Sequence, residues 1–202
     1  DPDWSRGLGD VYKRQENTGI GRQALLTNST GSYNVALGVN ALYQNTTASN
    51  NTACGNSALA ANTTGAQNTA IGRSALLNNT TASYNTAVGY LALEDNVTGA
   101  SNTAVGSFAL EANLAASNTA VGDNAMRVNT TGTQNVAVGN QALKANTTAN
   151  NNVAVGYDAL LANTTGQSNT CIGSDAGQAI TTTSNNTICL LYTSDAADDT
   201  RS

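Results

Sequence analysis

Residues 51–84 read NTACGNSALAANTTGAQNTAIGRSALLNNTTASY, and these two halves of 17 residues decide the fold. The shared pattern is N-[T/V]-A-[V/I/L]-G-x-x-A-L-x-x-N-T-T-[G/A]-x-x, with Cys54 as a variant at position 4. Outward from this stretch, the leading asparagines are Asn17, Asn34, Asn51, Asn68, Asn85, Asn102, Asn118, Asn135, Asn152, Asn169 and Asn186. Every step is 17 residues except that from Asn102 to Asn118, which is 16. A fixed period of this size is typical of a solenoid, in which each coil packs only on its neighbours.

Positions within a coil are numbered from the leading asparagine, and positions 2 to 4 predict a short strand. Branched residues at positions 2 and 4 flank an alanine, which is typical of a strand with one buried face. We therefore predict a parallel β-roll-like β-solenoid whose small Ala/Gly face accepts a neighbouring backbone. The expected inward column at position 4 is Ile20, Leu37, Cys54, Ile71, Val88, Val105, Val121, Val138, Val155 and Ile172.

Positions 6 to 11 are rich in helix formers, as in the segment NQALKA at 140–145. This composition predicts one helical turn, with a second short strand as the alternative. The large residue at position 9 is expected to point into the core. That column is Leu25, Leu42, Leu59, Leu76, Leu93, Leu110, Met126, Leu143 and Leu160.

Position 12 is asparagine in nine consecutive coils: Asn28, Asn45, Asn62, Asn79, Asn96, Asn113, Asn129, Asn146 and Asn163. Two interpretations remain open, a left-handed cap after the turn and a stacked asparagine ladder. Position 15 alternates between glycine and alanine from Gly31 to Gly166, with Ala116 as its member in the short coil. The alternation indicates either duplication of 34-residue pairs or a small difference between odd and even coils, and duplication is the favoured interpretation.

The two ends do not follow the pattern. Residues 5–15 read SRGLGDVYKRQ and residues 189–199 read CLLYTSDAADD. Their codons can be chosen so that 18 nucleotides of one are the reverse complement of the other, a relation that no folded protein would produce. Both stretches look like translated transposase-type sequencing adapters. We expect residues 1–15 and 189–202 to be adapter-derived and residues 16–188 to be an array of about ten coils.

Composition argues against several kinds of site. The whole chain has 8 Lys and Arg, 13 Asp and Glu and no His, which leaves a net charge of −5. Without histidine there is no Ser-His or Cys-His nucleophile, and neither a basic patch for nucleic acid nor a long apolar segment for a membrane occurs. The acids Asp123, Asp158 and Asp175 do not recur coil by coil, so no metal or cofactor is expected. We expect the protein not to be an enzyme.

The cysteines predict no disulfide. Cys54 and Cys171 lie seven coils apart, about 34 Å at one strand spacing per coil, whereas a disulfide requires Cα atoms within about 7 Å. Both are expected to be small buried hydrophobic residues, and Cys189 falls in the adapter-like stretch.

The units NTAVG, NVAVG and NTAIG resemble head repeats of trimeric autotransporter adhesins. With the extension AL-x-x-N-T-T-G, they resemble still more closely the repeats of phage tail-fibre and bacterial surface proteins that often precede an endosialidase-type chaperone domain. The coil from Asn169 resembles a variant of that family, with Gly177 and Ile180 replacing Leu and Asn. The resemblance implies a homotrimer outside the cell, on a cell surface or a virion.

Two functions follow as expectations. The first is a structural and adhesive segment of a fibre, a rigid spacer or head, with a glycan or cell-surface receptor as the expected ligand and exposed tyrosines such as Tyr33 and Tyr84 as candidate contacts. The second is a module that binds a repetitive surface, polysaccharide or ice, through Thr and Asn columns at positions 13 and 14. Position 2 is expected to be buried, because Thr alternates there with Val.

Overall fold

The computed structural model describes residues 16–189, which form a parallel β-solenoid with one three-residue strand per coil. The strands are β1 (Thr18–Ile20), β2 (Val35–Leu37), β3 (Thr52–Cys54), β4 (Thr69–Ile71), β5 (Thr86–Val88), β6 (Thr103–Val105), β7 (Thr119–Val121), β8 (Val136–Val138), β9 (Val153–Val155), β10 (Thr170–Ile172) and β11 (Thr187–Cys189). They form one 11-stranded parallel sheet in sequence order. The predicted β-solenoid with 17-residue coils is confirmed.

The register of the sheet stacks equivalent positions. Thr69 pairs with Thr86 and Ala70 with Ala87, so each residue lies beside its counterpart one coil on. The short coil keeps this register, since Thr103 pairs with Thr119. A parallel ladder in register turns each position of the coil into a continuous column.

The segment at positions 6 to 11 is neither a helical turn nor a second strand, so both sequence interpretations were wrong. It forms two tight turns, in which the N–H of Ala75 bonds to the carbonyl of Gly72 at 3.4 Å and that of Asn79 to Leu76 at 3.2 Å. Positions 7 and 9 are left-handed, as at Ser74 (φ 57°) and Leu76 (φ 52°). Left-handed residues at every second position exclude a helix and turn N–H groups toward both neighbouring coils. The N–H of Ser74 donates to Asn56 in the preceding coil at 2.9 Å. The N–H of Leu76 accordingly donates to Ala92 at 3.0 Å.

The strand faces the opposite way from the sequence expectation. Alanine at position 3, as in Ala70, is fully buried, whereas Ile71 at position 4 is 42% exposed. The interior between the strand and the position-9 column is thin, so a methyl group fits there and a branched side chain does not. The whole expected inward column points outward: Ile20, Ile71, Val105, Val121 and Ile172 are exposed, and Leu37, Cys54, Val88, Val138 and Val155 are half-buried.

The core consists of the alanines at positions 3 and 8 and the large residue at position 9. The position-9 column is in the core as expected, and all of its members from Leu42 to Leu160 have no exposed surface. Gly89, at position 5, has φ +143°, and a Cβ there would overlap the carbonyl of Gly106 in the next coil. Close backbone stacking at position 5 therefore requires glycine. The residues described contain no helix long and apolar enough to cross a membrane.

The short coil omits position 14, not position 16 or 17. The carbonyl of Ala115, not that of Ala116, accepts the side-chain amides of Asn102 and Asn113 at 2.8 and 2.7 Å, which is the role of position 15. The alignment that placed Ala116 at position 15 was therefore wrong. Ser117 keeps the left-handed conformation of position 17, with φ 63°.

Candidate functional surfaces

The asparagines at position 12 form a buried ladder, and they are not left-handed caps. The Nδ2 of Asn45 donates to the Oδ1 of Asn28 at 2.7 Å, and the Nδ2 of Asn62 donates to Asn45 at 3.0 Å. The links continue through Asn79, Asn96, Asn113, Asn129, Asn146 and Asn163. Because an amide is both donor and acceptor, identical asparagines can satisfy one another along a stack. The left-handed residues lie instead at positions 7, 9 and 17.

A second ladder runs through the leading asparagines, which the sequence analysis used only as a marker. The Oδ1 of Asn51 accepts the backbone N–H of Asn68 at 2.9 Å, and the Nδ2 of Asn51 donates to the carbonyl of Gly65 at 2.9 Å. That carbonyl also accepts Asn62 at 2.9 Å, so the two asparagines of a coil share one acceptor. The presence of asparagine at position 1 of all eleven coils was the signal for this role.

The position-12 ladder ends at the variant coil that begins at Asn169. Ile180 replaces the next asparagine, and the buried Oδ1 of Asn163 has no hydrogen-bond partner. Ile180 packs against the core instead. A Cβ on Gly177 would crowd the Sγ of Cys171 and the Cδ1 of Ile180, so the replacements in this coil are coupled by packing.

Odd and even coils differ physically, as the second interpretation of the alternation expected, while duplication of 34-residue pairs stays a prediction. A Cβ on Gly65 would overlap the carbonyl of Ala82 in the next coil, whereas the methyl group of Ala82 fits against the coil that follows it. We call a coil with glycine at position 15 a glycine-type coil and one with alanine there an alanine-type coil. The alanine-type coil also supplies an acceptor at position 16, where the Oγ of Ser83 binds the N–H of Ala66 at 3.0 Å. Equivalent bonds reach Ser49 and Asn150 in alanine-type coils and Ser184 in the variant coil, where Thr183 is at position 15. The structural repeat is therefore a 34-residue pair.

The outer face of the sheet is uncharged over all eleven strands. It consists of Thr or Val at position 2 and mainly Val, Ile or Leu at position 4, with Cys54 and Cys189 in the same column. Position 2 is half-buried in the inner coils, and Thr18 and Thr187 at the two ends are exposed, so the expectation of burial there was wrong. Since alanine at position 3 is internal, the small Ala/Gly face is not available to another chain.

Threonines form two different columns at the corner. Those at position 13 are committed to the fold, because the Oγ1 of Thr63 donates to the carbonyl of Thr80 at 3.0 Å and its neighbours behave alike. Only the 16-residue coil lacks a threonine at position 14. Those of every other complete coil are exposed, as expected: Thr30, Thr47, Thr64, Thr81, Thr98, Thr131, Thr148, Thr165 and Thr182.

Aromatic and charged side chains cluster on the turns of coils 4 to 7. The rings of Tyr90 and Phe108 meet edge to face with centroids 5.3 Å apart. Arg73 covers Tyr90 at 5.7 Å, and Arg127 covers Phe108 at 4.6 Å while it pairs with Glu111. In each of these contacts the two side chains belong to adjacent coils. The cluster therefore stabilises the stacking of coils 4 to 7.

Two titratable groups of residues 16–189 have shifted pKa values. Burial, and then the carboxylates of Asp95 and Glu111, raise the pKa of Glu94 above its ordinary value of 4.5. Burial raises the pKa of the Cys171 thiol above 9.0, so it is a poor nucleophile. Within residues 16–189, no three His, Cys, Asp or Glu residues come together as metal ligands.

The cysteines there are free thiols: Cys171 is buried as expected, Cys54 is half-buried on the outer face instead of internal, and Cys189 is exposed. Comparison with protein-family models, curated proteins and solved structures finds no match for this chain.

Proposed function

We propose that this chain is a structural and adhesive repeat segment of a fibrous surface or tail-fibre protein, acting as a rigid spacer or head rather than as an enzyme. The observation that carries the proposal is the continuous ladder of leading asparagines, which links every coil from Asn17 to Asn186. Eleven strands at one spacing each extend over about 48 Å. A rod stabilised along its whole length by buried hydrogen bonds suits a spacer that holds two other parts of a fibre a fixed distance apart.

Assembly as a homotrimer on a cell surface or virion is part of the proposal. The resemblance to trimeric head and tail-fibre repeats supports it, and so does the uncharged outer sheet face. Exposed side chains such as Val105 and Ile71 form a long apolar strip on that face, and contiguous patches of this kind mark protein interfaces. Three copies with these strips around a common axis would bury them.

Sedimentation equilibrium and thermal circular dichroism on the full chain test this assembly. The expected result is a species of three times the chain mass that dissociates when Val88 and Val121 on the outer face are both changed to Lys. The matched control changes Thr81 and Thr148, in the exposed corner column, to Lys and should remain trimeric. A well-folded monomer that melts cooperatively would contradict the trimer.

A second candidate function is binding to a repetitive solid surface, either ice or a polysaccharide. The observation in its favour is the position-14 threonine column, which is exposed and spaced by one coil except across the 16-residue coil. Inhibition of ice recrystallisation and binding to immobilised polysaccharide are the measurements. Either activity should disappear when Thr64, Thr81, Thr131 and Thr148 are replaced by Tyr, and it should survive replacement of the half-buried Thr63 by Ser. Activity that survives the fourfold replacement excludes this function for the column.

A further inference from the structure

Position 17 carries a short row of large polar side chains at one end of the array. In the first four coils it is occupied by Tyr33, Asn50, Gln67 and Tyr84, all exposed. Tyr33 and Tyr84 are 59% and 61% exposed. We call these four residues the tyrosine row. The row ends at Tyr84, because no later coil has a tyrosine at position 17, where the residue is Ser, Gln or Asn.

The backbone under the tyrosine row is held in place. All four residues are left-handed, with φ between 59° and 63°. The N–H groups of Asn50, Gln67 and Tyr84 donate to position-16 carbonyls of the preceding coil at 3.0 to 3.2 Å. Three coil steps separate the two rings, about 14 Å along the array.

Folding alone does not account for the tyrosines. A left-handed backbone favours Gly or Asn and disfavours bulky residues, and Asn50 shows that asparagine fits this position. Neither Tyr33 nor Tyr84 stacks on an aromatic ring or a cation among residues 16–189, in contrast to Tyr90. Two rings are thus presented to solvent at a conformational cost.

We infer that the tyrosine row binds a linear, neutral oligosaccharide. A phenol ring offers an apolar face of the size of a sugar ring and a hydroxyl at its edge, while the amides of Asn50 and Gln67 supply donors and acceptors for sugar hydroxyls between the rings. The four residues of the row carry no charge, which matches an uncharged ligand, and Glu16, left-handed like them, lies one coil step before Tyr33 and outside the row. This inference rests on the proposed adhesive function and names its ligand class.

Calorimetric titration of the full chain with cellohexaose and with chitohexaose tests the inference. At least one of these sugars should bind, and changing both Tyr33 and Tyr84 to Asn should weaken binding by at least about tenfold, the loss expected for a single stacked ring. Asparagine suits the left-handed backbone, so the variant should keep the circular dichroism spectrum of the parent chain. The matched control is Tyr157→Asn, which removes a tyrosine that is 53% exposed at position 6 and should leave the affinity unchanged.

Failure of both sugars to bind the parent chain overturns the inference, and so does a double variant that binds as well as the control. A trimeric rod that binds neither sugar would leave the proposed structural function standing. A monomer that binds through the tyrosine row would contradict the proposed trimer and leave the sugar-binding inference standing.

Discussion

At the scale of single residues, asparagine has the central role because its amide donates and accepts at once. In this coil the amide at position 12 bonds upward, downward and to the position-15 carbonyl of its own coil, as Asn79 does with Asn62, Asn96 and Ala82. Aspartate would lose the donor and place charges beside one another, and alanine would leave neighbouring polar atoms unpaired in a dry interior.

Replacing Asn79 by Ala should therefore lower the free energy of unfolding by about 1–3 kcal/mol for each buried polar group left without a partner. The control is Asn78→Ala, one residue earlier, whose amide makes an exposed bond to Asp95. Its effect should stay within about 0.5 kcal/mol. Urea unfolding followed by circular dichroism measures both, and equal effects would contradict a structural role for the ladder.

Glu94 predicts a pH dependence. Its pKa is raised in the folded chain by burial and by neighbouring carboxylates, so the folded state holds this proton more tightly than the unfolded state. Stability therefore falls as pH rises from about 4.5 through the raised pKa, and the ionised form is the destabilising one. Glu94→Gln should raise the melting temperature at pH 7 and have little effect at pH 4. A shift of the same size at both pH values would refute this assignment.

At the scale of the coil, the alternation at position 15 is a packing rule. A glycine-type coil brings its position 15 against the carbonyl of the alanine-type coil that follows, and an alanine-type coil leaves room for its own methyl group. The serine or asparagine at position 16 completes the pair, since Ser83 accepts the otherwise free N–H of Ala66. One coil is the unit of the sequence pattern, whereas two coils are the unit of packing.

Substitutions at equivalent positions of the two coil types should consequently behave differently. Gly65→Ala should destabilise by about 1–3 kcal/mol, because its methyl group overlaps the carbonyl of Ala82. Ala82→Gly should cost about 0.5–1 kcal/mol, the ordinary entropic effect of glycine. Thermal unfolding of the two variants side by side decides the matter, and a Gly65→Ala variant as stable as the parent would show that the coils are equivalent.

At the scale of the whole molecule, stability depends on contacts between neighbouring coils, since the strands of residues 16–189 contact only the strands next to them. Columns of Ala, Asn and large apolar residues run from coil to coil as far as the variant coil that begins at Asn169, and the leading asparagines continue to Asn186. The 16-residue coil is tolerated because the missing residue belongs to an exposed corner. Its absence does not shift the strand, the leucine or either asparagine out of its column.

Deleting residues 51–84 removes one complete pair and rejoins an alanine-type coil to a glycine-type coil. This variant should melt close to the parent temperature. Deleting residues 51–67 places two alanine-type coils in contact and should lower the melting temperature by roughly 2–10 °C through overpacking at position 15. Differential scanning calorimetry of both variants is the measurement. If the shorter deletion proves the more stable of the two, the pair is not the structural unit.

The sequence by itself determined the solenoid, its period, the column of large residues from Leu42 to Leu160 and the choice of asparagine at position 12. Each of these is set by which residue recurs, and recurrence is visible in one dimension. The tertiary structure alone decided which face of the strand is inside. Alternation at positions 2 to 4 marks two faces equally well, and only the thin space beneath the leucines makes Ala70 internal and Ile71 external. The tight left-handed turns and the 34-residue pair likewise depend on how closely one backbone approaches the next, a distance that residue types do not state.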